Sequence, residues 1–429
     1  MKGKFVLFHL YVMEVNTMKK LIALILLLTM AANVVSCSMQ VRAKNLMDGI
    51  TPNEIAAAES LSEQNPAVTD FAVRLFKASE ESGKNTLISP LSVLCALAMT
   101  ANGAKEETLA QMESVLGMTK DELNIYLYSY MKKLPNGEKY KLSLANSIWF
   151  TNDESFTVNR DFLQTNADYY GADIYKSPFD QKTCKEINKW VEDNTDGMIP
   201  EILDEINSEA VMYLVNALAF DAEWAKIYRE SSVKYGKFTK EDGSEQNVEL
   251  MYNTENVYLE DDNASGFMKY YKDGKYAFVA LLPNEGVSVS EYISSLDGKS
   301  LSEMLANAQI ATVRTCVPKF ETEYDVNMSE ILAKMGMPDA FDSDKADFTG
   351  LGTSSVGNIY ISRVIHKTFI SVDEKGTKAG ATTAVEMMPE SAPPTDIKKV
   401  YLNRPFVYML VDCENNIPFF IGTMMDVGE

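Results

Sequence analysis

Few side chains in this sequence are equipped for acid–base or nucleophilic chemistry, and they do not converge. Of two histidines, His9 lies in the far N-terminal stretch, leaving His366 as the one imidazole for any Ser–His–acid relay. No G-x-S-x-G accompanies it, and in NIYISRVIHKTFISVDE the residues Val364, His366, Thr368, Ile370 and Val372 share one strand face at period two. That placement predicts a hydrogen-bonded core histidine rather than a proton shuttle. Cys95, Cys184, Cys316 and Cys413 are far apart, without C-x-x-C or zinc spacing, so buried free thiols are expected, with disulfides the lesser alternative. Asp342-Ser343-Asp344-Lys345-Ala346-Asp347 starts like a calcium loop but lacks the Gly and distal Glu at the required offsets, and Gly350-Leu351-Gly352 has no third phosphate-loop glycine. No enzyme, metal or cofactor is implied.

The remaining chemistry belongs to a main-chain segment. VDEKGTKAGATTAVEMMPESAPP, residues 372–394, is composed like a strand and stopped by Pro389 and Pro393-Pro394. Counting by twos from Thr377 gives Thr377, Ala379, Ala381, Thr383, Val385 and Met387, all small or apolar. The alternate set, Lys378, Gly380, Thr382, Ala384, Glu386 and Met388, is more polar. Period two would send the first set inward and Lys378 and Glu386 outward if the segment joined a sheet. Gly376 supplies backbone freedom, Ala379-Gly380-Ala381 offers no bulk, and the prolines, lacking donors, fix where pairing must end.

Elements to receive such a strand are legible. Ser89-Pro90 before LSVLCALAMTA is an N-cap and first-turn proline, and Asn102-Gly103 closes the helix, which is apolar almost all round and hence buried. INKWVEDNTDGMIPEIL reads as a helix ending near Asn194 to Gly197. LSLANSIWF, VMYLVNALAF, YAFVALLP and ATVRTCVPKF read as strands, and PFVYMLVDC and IPFFIGTMM as a hairpin buried on both faces. Regular βαβ alternation is missing. With 429 residues, 46% hydrophobic and 24% charged, and no linker or repeat, one large domain is expected. The net charge of -21 and scattered basic residues exclude nucleic acid as partner.

At the N-terminus, Met18-Lys19-Lys20 precedes LIALILLLTMAANVV, a basic start and short apolar run with the form of a secretory signal, so that 1–17 is an upstream extension of a signal covering 1–36. Val34-Val35-Ser36-Cys37 resembles the lipobox of bacterial lipoproteins, which implies lipidation at Cys37; plain cleavage near Ser36 is the alternative. The expectation is an exported, outer-membrane-anchored lipoprotein, periplasmic or cell-surface. Residues 37–66 would be a polar tether, and the lipid the sole membrane contact.

The motifs NTLISPLSVLCALAMTANGAKEETLAQM, LANSIWF, INKWVEDNTDGMIPEIL, LVNALAFDAEW, VPKFETEYDVNMSEILAKMGMPDAF with ADFTGL, VIHKTFISVDEKGTKAGATTA, and NRPFVYMLVD with IPFFIGTMMD resemble, in that order, the serpin family. The resemblance implies an α+β fold, a single domain over 67–429 with about nine helices, three β-sheets and an exposed reactive-centre loop at about 374–394. It implies a monomer that inhibits serine endopeptidases as a suicide substrate: the protease forms an acyl-enzyme on the loop, the loop inserts into the central sheet, and deacylation stalls. Papain-like cysteine proteases are a further target class. The alternative within the family is a non-inhibitory member acting as a binding or chaperone-like protein, whose hinge would carry bulky or charged inward residues; Thr377, Ala379 and Ala381 favour inhibition.

By the same resemblance the hinge comprises Glu374, Gly376, Thr377, Ala379, Gly380, Ala381, Thr382 and Thr383. Ser89, Ser92, Asn216 and His366 correspond to a polar "shutter" beneath the central strands, and Trp224 to the aromatic at the point of first insertion. The scissile residue of the family usually lies fourteen positions beyond the hinge glycine, which places the reactive bond at Glu390–Ser391. Met387–Met388 and Ser391–Ala392 compete. Glutamyl, elastase-like and subtilisin-like proteases are the expected targets, and the lack of Lys or Arg between Lys378 and Lys398 speaks against a trypsin-like one. Lys378 after the hinge threonine, Ala222-Glu223 before Trp224, and a long stretch from Ser391 to Asn403 depart from the family pattern.

Overall fold

Ser89 caps the Pro90–Ala101 helix as its position predicts, its side chain accepting the Ser92 N–H, and every residue of that helix is buried. The structure, a computed structural model, describes residues 43–134, 137–154, 156–355, 357–377 and 397–428. Nine α-helices and three sheets occur among them.

The main sheet has seven strands: β1 (Lys44–Asn45), β2 (Tyr140–Thr151), β3 (Asp173–Ser177), β4 (Met212–Glu223), β5 (Phe320–Asn327), β6 (Arg363–Val372) and β7 (Gly376–Thr377), in the order β1-β3-β2-β4-β7-β6-β5. β4 explains its central place: Met212 through Phe220 are buried without interruption, the run expected of a strand covered on both faces. Leu214, Leu218 and Phe220 of β4 join the main core with the buried Pro90–Ala101 helix, whereas Tyr213, Val215 and Ala217 pack in a second cluster with Ile187 and Val191 of the Gln181–Asn194 helix. β6 alternates likewise, with Val364, Ile370 and Val372 in the first cluster and Ile365 in the second.

A nine-stranded sheet holds the C-terminal hairpin, Phe406–Asp412 against Ile417–Met424, together with the Glu245–Glu260, Ala264–Tyr270, Tyr276–Pro283 and Gln309–Pro318 strands. Its outermost strand, Ile397–Tyr401, runs parallel to Gln309–Pro318.

One expectation is corrected. The tether foreseen as far as Pro66 gives way to chain lying on the domain from Ala43 onward. Lys44 and Asn45 pair with Lys176 and Tyr175 of β3. Asn53 N–H donates to Asp168 Oδ1 at 2.7 Å and Ala58 N–H to Ser129 Oγ at 2.8 Å. The open edge of β3 has backbone groups to satisfy, and a short polar stretch serves as well as a hydrophobic one. Among the described residues no helix is long and apolar enough to cross a membrane.

Candidate functional site

The site is a parting in the main sheet. β4 and β6 pair in parallel from Tyr213 and Arg363 up to Leu218 and Thr368. Above that rung they separate, and β7 lies between them, Gly376 and Thr377 opposite Glu223 and Ala222 of β4, and Thr377 opposite Val372 of β6, antiparallel to both. The slot therefore already holds the first two residues of a strand. Gly376 is needed for space rather than for freedom: a Cβ there would lie 2.0 Å from the Ala222 carbonyl oxygen. Thr377 is 1% exposed, so it faces inward as period two requires, and its hydroxyl lies 2.5 Å from that of Tyr271.

A segment that follows β4 grips the turn leading into β7. Trp224 N–H donates to Lys375 O at 2.8 Å, Trp224 Nε1–H to Asp373 O at 2.8 Å, and Tyr228 N–H to Glu374 O at 2.9 Å. The Trp224 ring stacks on Tyr271 with centroids 4.4 Å apart. Lys319 reaches across from the end of β5, its Nζ 2.9 Å from Glu374 Oε2 and 3.4 Å from Glu249 Oε2. Burial works to raise the Glu374 carboxyl, but the Lys319 ammonium and a backbone N–H outweigh it and hold it below the usual range.

A polar cluster crosses the parallel junction just below the parting. His366 and Asn216 are register partners. Ser89 N–H donates to His366 Nε2 at 3.0 Å, so Nδ1 carries the ring proton and donates to Asn216 Oδ1, 2.6 Å away. Asn216 also accepts from the Ser92 hydroxyl at 3.2 Å and donates from Nδ2 to Ile365 O at 2.9 Å. Ser89, Ser92, Asn216 and His366 are all 0% exposed. Burial lowers the His366 pKa to about 3, which keeps the ring neutral.

A family model described as Serpin (serine protease inhibitor) matches residues 66–427. The chain belongs to the serpin family. The native-state structure of a thermophilic serpin, tengpin, is 51% identical, covers 90% of this chain and 100% of its own, and superposes with a TM-score of 0.86. The latent-state structure of tengpin, 48% identical over 88% of this chain and 100% of its own, gives 0.76, so the arrangement seen here is nearer the native one. The leukocyte elastase inhibitor of Equus caballus is 29% identical over 82% of this chain and 95% of its own length.

The serpin fold brings together every predicted site residue that falls within the described part. Ser89, Ser92, Asn216 and His366 form one hydrogen-bonded group, and Glu374, Gly376, Thr377 and Trp224 a second at the head of the slot. Ala379, Gly380, Ala381, Thr382, Thr383, Glu390, Ser391 and Cys37 lie outside the described residues. Cys95, Cys184 and Cys316 are buried free thiols and Cys413 is partly exposed. Sequence patterning does not single out Tyr271, Lys319 or Asp373. Lys319 has a local signal, a lysine closing an apolar strand beside Glu321, but nothing in sequence pairs it with Glu374; Tyr271 and Asp373 act through one hydroxyl and one carbonyl that only the fold juxtaposes.

Proposed function

We propose that this serpin inhibits serine endopeptidases by acyl-enzyme trapping and insertion of its reactive loop between β4 and β6. The observation that carries the reading is the parted pair of central strands with Gly376 and Thr377 already seated in the gap. The protease serine adds to the Glu390 carbonyl and the Ser391 amine leaves, giving an ester; the cut frees the segment that follows Thr377.

The register supports this. Each step along the loop beyond Thr377 would meet one step back along β4, so Met387 would reach Met212 and Glu386 would lie beside Tyr213 and Arg363, where β6 also begins. A filled slot would thus take the twelve residues Gly376–Met387. At ~3.4 Å per residue that strand is about 40 Å long, enough to carry the acylated protease down the whole sheet. A cut before Met387 would leave the slot short, whereas Glu390–Ser391 clears it. Insertion replaces one parallel junction by two antiparallel ones, a net gain of roughly ten hydrogen bonds at about 1 kcal/mol each. Pulling on the ester then distorts the protease's oxyanion hole, and the deacylation that depends on it stalls.

Ser89, Ser92, Asn216 and His366 act in this reading as a clasp across the parallel junction, since the Asn216–Ile365 and His366–Asn216 bonds must both break before β4 and β6 separate further. The expected result with a glutamyl, elastase-like or subtilisin-like protease is an SDS-stable covalent adduct, with a released C-terminal peptide whose mass begins at Ser391. Nicked serpin alone, with every protease and at every ratio, would refute inhibition.

A further inference from the structure

Beneath the segment that grips the hinge turn lies an ionic pair that the insertion chemistry does not itself call for. Lys269, in the Ala264–Tyr270 strand, is 1% exposed, and Glu255, in the Glu245–Glu260 strand, is 9% exposed. Lys269 Nζ donates to Glu255 Oε1 at 3.0 Å and to the backbone carbonyl of Lys226 at 2.9 Å. The same ammonium sits 4.3 Å from the Tyr228 ring centroid and 5.2 Å from that of Trp224. Burial pushes the Lys269 ammonium toward losing its proton and Glu255 opposes that.

Stability is a poor explanation for such a pair, because removing two charges from water costs about what their attraction returns, and apolar replacements of like shape are often neutral. What the pair does that an apolar pair could not is hold irregular backbone. Residues 225–229 belong to no helix or strand, yet their flanks deliver the three hydrogen bonds, from Trp224 N–H, Trp224 Nε1–H and Tyr228 N–H, that fix Asp373, Glu374 and Lys375. Lys269 binds the middle of that span at Lys226 O and lies under the rings at both ends.

We propose that Lys269, held by Glu255, is a positioning residue for sheet insertion: it keeps the Trp224–Tyr228 segment where that segment restrains the hinge turn, so that the loop does not run into the slot before a protease has cut it. This rests on the insertion reading above, and the first measurement below does not.

The test is a Lys269→Met/Glu255→Gln double variant, which leaves no buried charge unpaired. Backbone hydrogen exchange across residues 224–228 should quicken about tenfold, the factor expected when roughly one hydrogen bond's worth of restraint is lost. The spontaneous conversion of uncut protein on mild heating, read as a monomer that no longer forms adduct and resists further heating, should quicken by a similar factor, with far-UV circular dichroism unchanged. Unchanged exchange would overturn the proposal, as would faster exchange with unchanged conversion, or a double variant that fails to fold and so shows the pair to be part of the core. Should the parent form no adduct with any protease, the exchange result would still stand or fall on its own.

Discussion

Acidifying the native serpin from pH 7.5 to 5.0 should weaken it through one side chain. His366 has a folded pKa of about 3 against an ordinary 6.5, because it is buried and cannot take a second ring proton without loss of its solvent-free site. Ser89 N–H occupies Nε2, so a proton placed there would also set two donors face to face. The sign follows from the depressed value: the unfolded chain binds the proton below pH 6.5 and the folded chain does not, so stability is fully present above 6.5 and falls as the pH drops toward 3. The slope is about 1.4 kcal/mol per pH unit, which makes the loss at pH 5.0 about 2 kcal/mol. A His366→Gln variant lacks the titrating ring. It should be weaker than the parent at pH 7.5 by about 1–3 kcal/mol, for the unpaired Ser89 N–H and a rearranged Asn216, and should close most of that difference by pH 5.0. The assay is the urea midpoint of the native-state transition, followed by tryptophan fluorescence at both pH values in both proteins; carboxylate contributions cancel in the comparison. Equal falls in parent and variant would refute the reasoning, because the pH-sensitive bond would then not be at His366.

Thr377→Glu would put a carboxylate with no partner where Thr377 is now buried against Tyr271. An unpaired buried charge costs several kcal/mol, so the variant should behave as a substrate: the molar excess needed to silence a protease should rise about tenfold, and the cut variant should lack the gain in melting temperature expected of the cut parent. Parent-like stoichiometry would contradict the inward assignment of Thr377. Lys319→Met removes the ion pair with Glu374, whose groups are 29% and 36% exposed. The unfolding midpoint should move by less than about 1 kcal/mol, while spontaneous conversion on mild heating should speed a few-fold. Glu374 titrates low beside Lys319, so the pair's contribution is present above the ordinary carboxylate range and lost as the pH falls below it; a parent and variant that diverge further in acid would contradict that sign.

Segments with strong local character were legible in the sequence. The capped Pro90–Ala101 helix, the doubly buried β4 and the alternating β6 announce themselves by composition and period, and the small-residue alternation from Thr377 marks a strand without naming its partners. The reason for Gly376 was not legible, since a close approach to the Ala222 carbonyl looks in sequence like any need for flexibility. Nor was Lys269: in GFMKYYKDG a lysine reads as the outward member of a strand, and it is buried because Glu255 and the Lys226 carbonyl, 14 and 43 residues away, meet it there. Lys44 and Asn45 have no strand signal of their own and become a strand through the edge they cover. In each case the deciding partner is remote in sequence, where periodicity carries no information.

Because two residues are lodged ahead of time, the frame in which the remainder of the arm can be read into the sheet is settled in advance. A slip by a single position would bring Lys378 and Glu386 under the sheet and turn Ala379, Ala381 and Val385 toward water. Under the proposed insertion the sheet would behave like a zip fastener whose first teeth are already meshed: once the bait is severed, closure would have one starting point, one direction and one alignment, with no search for registration before the pull.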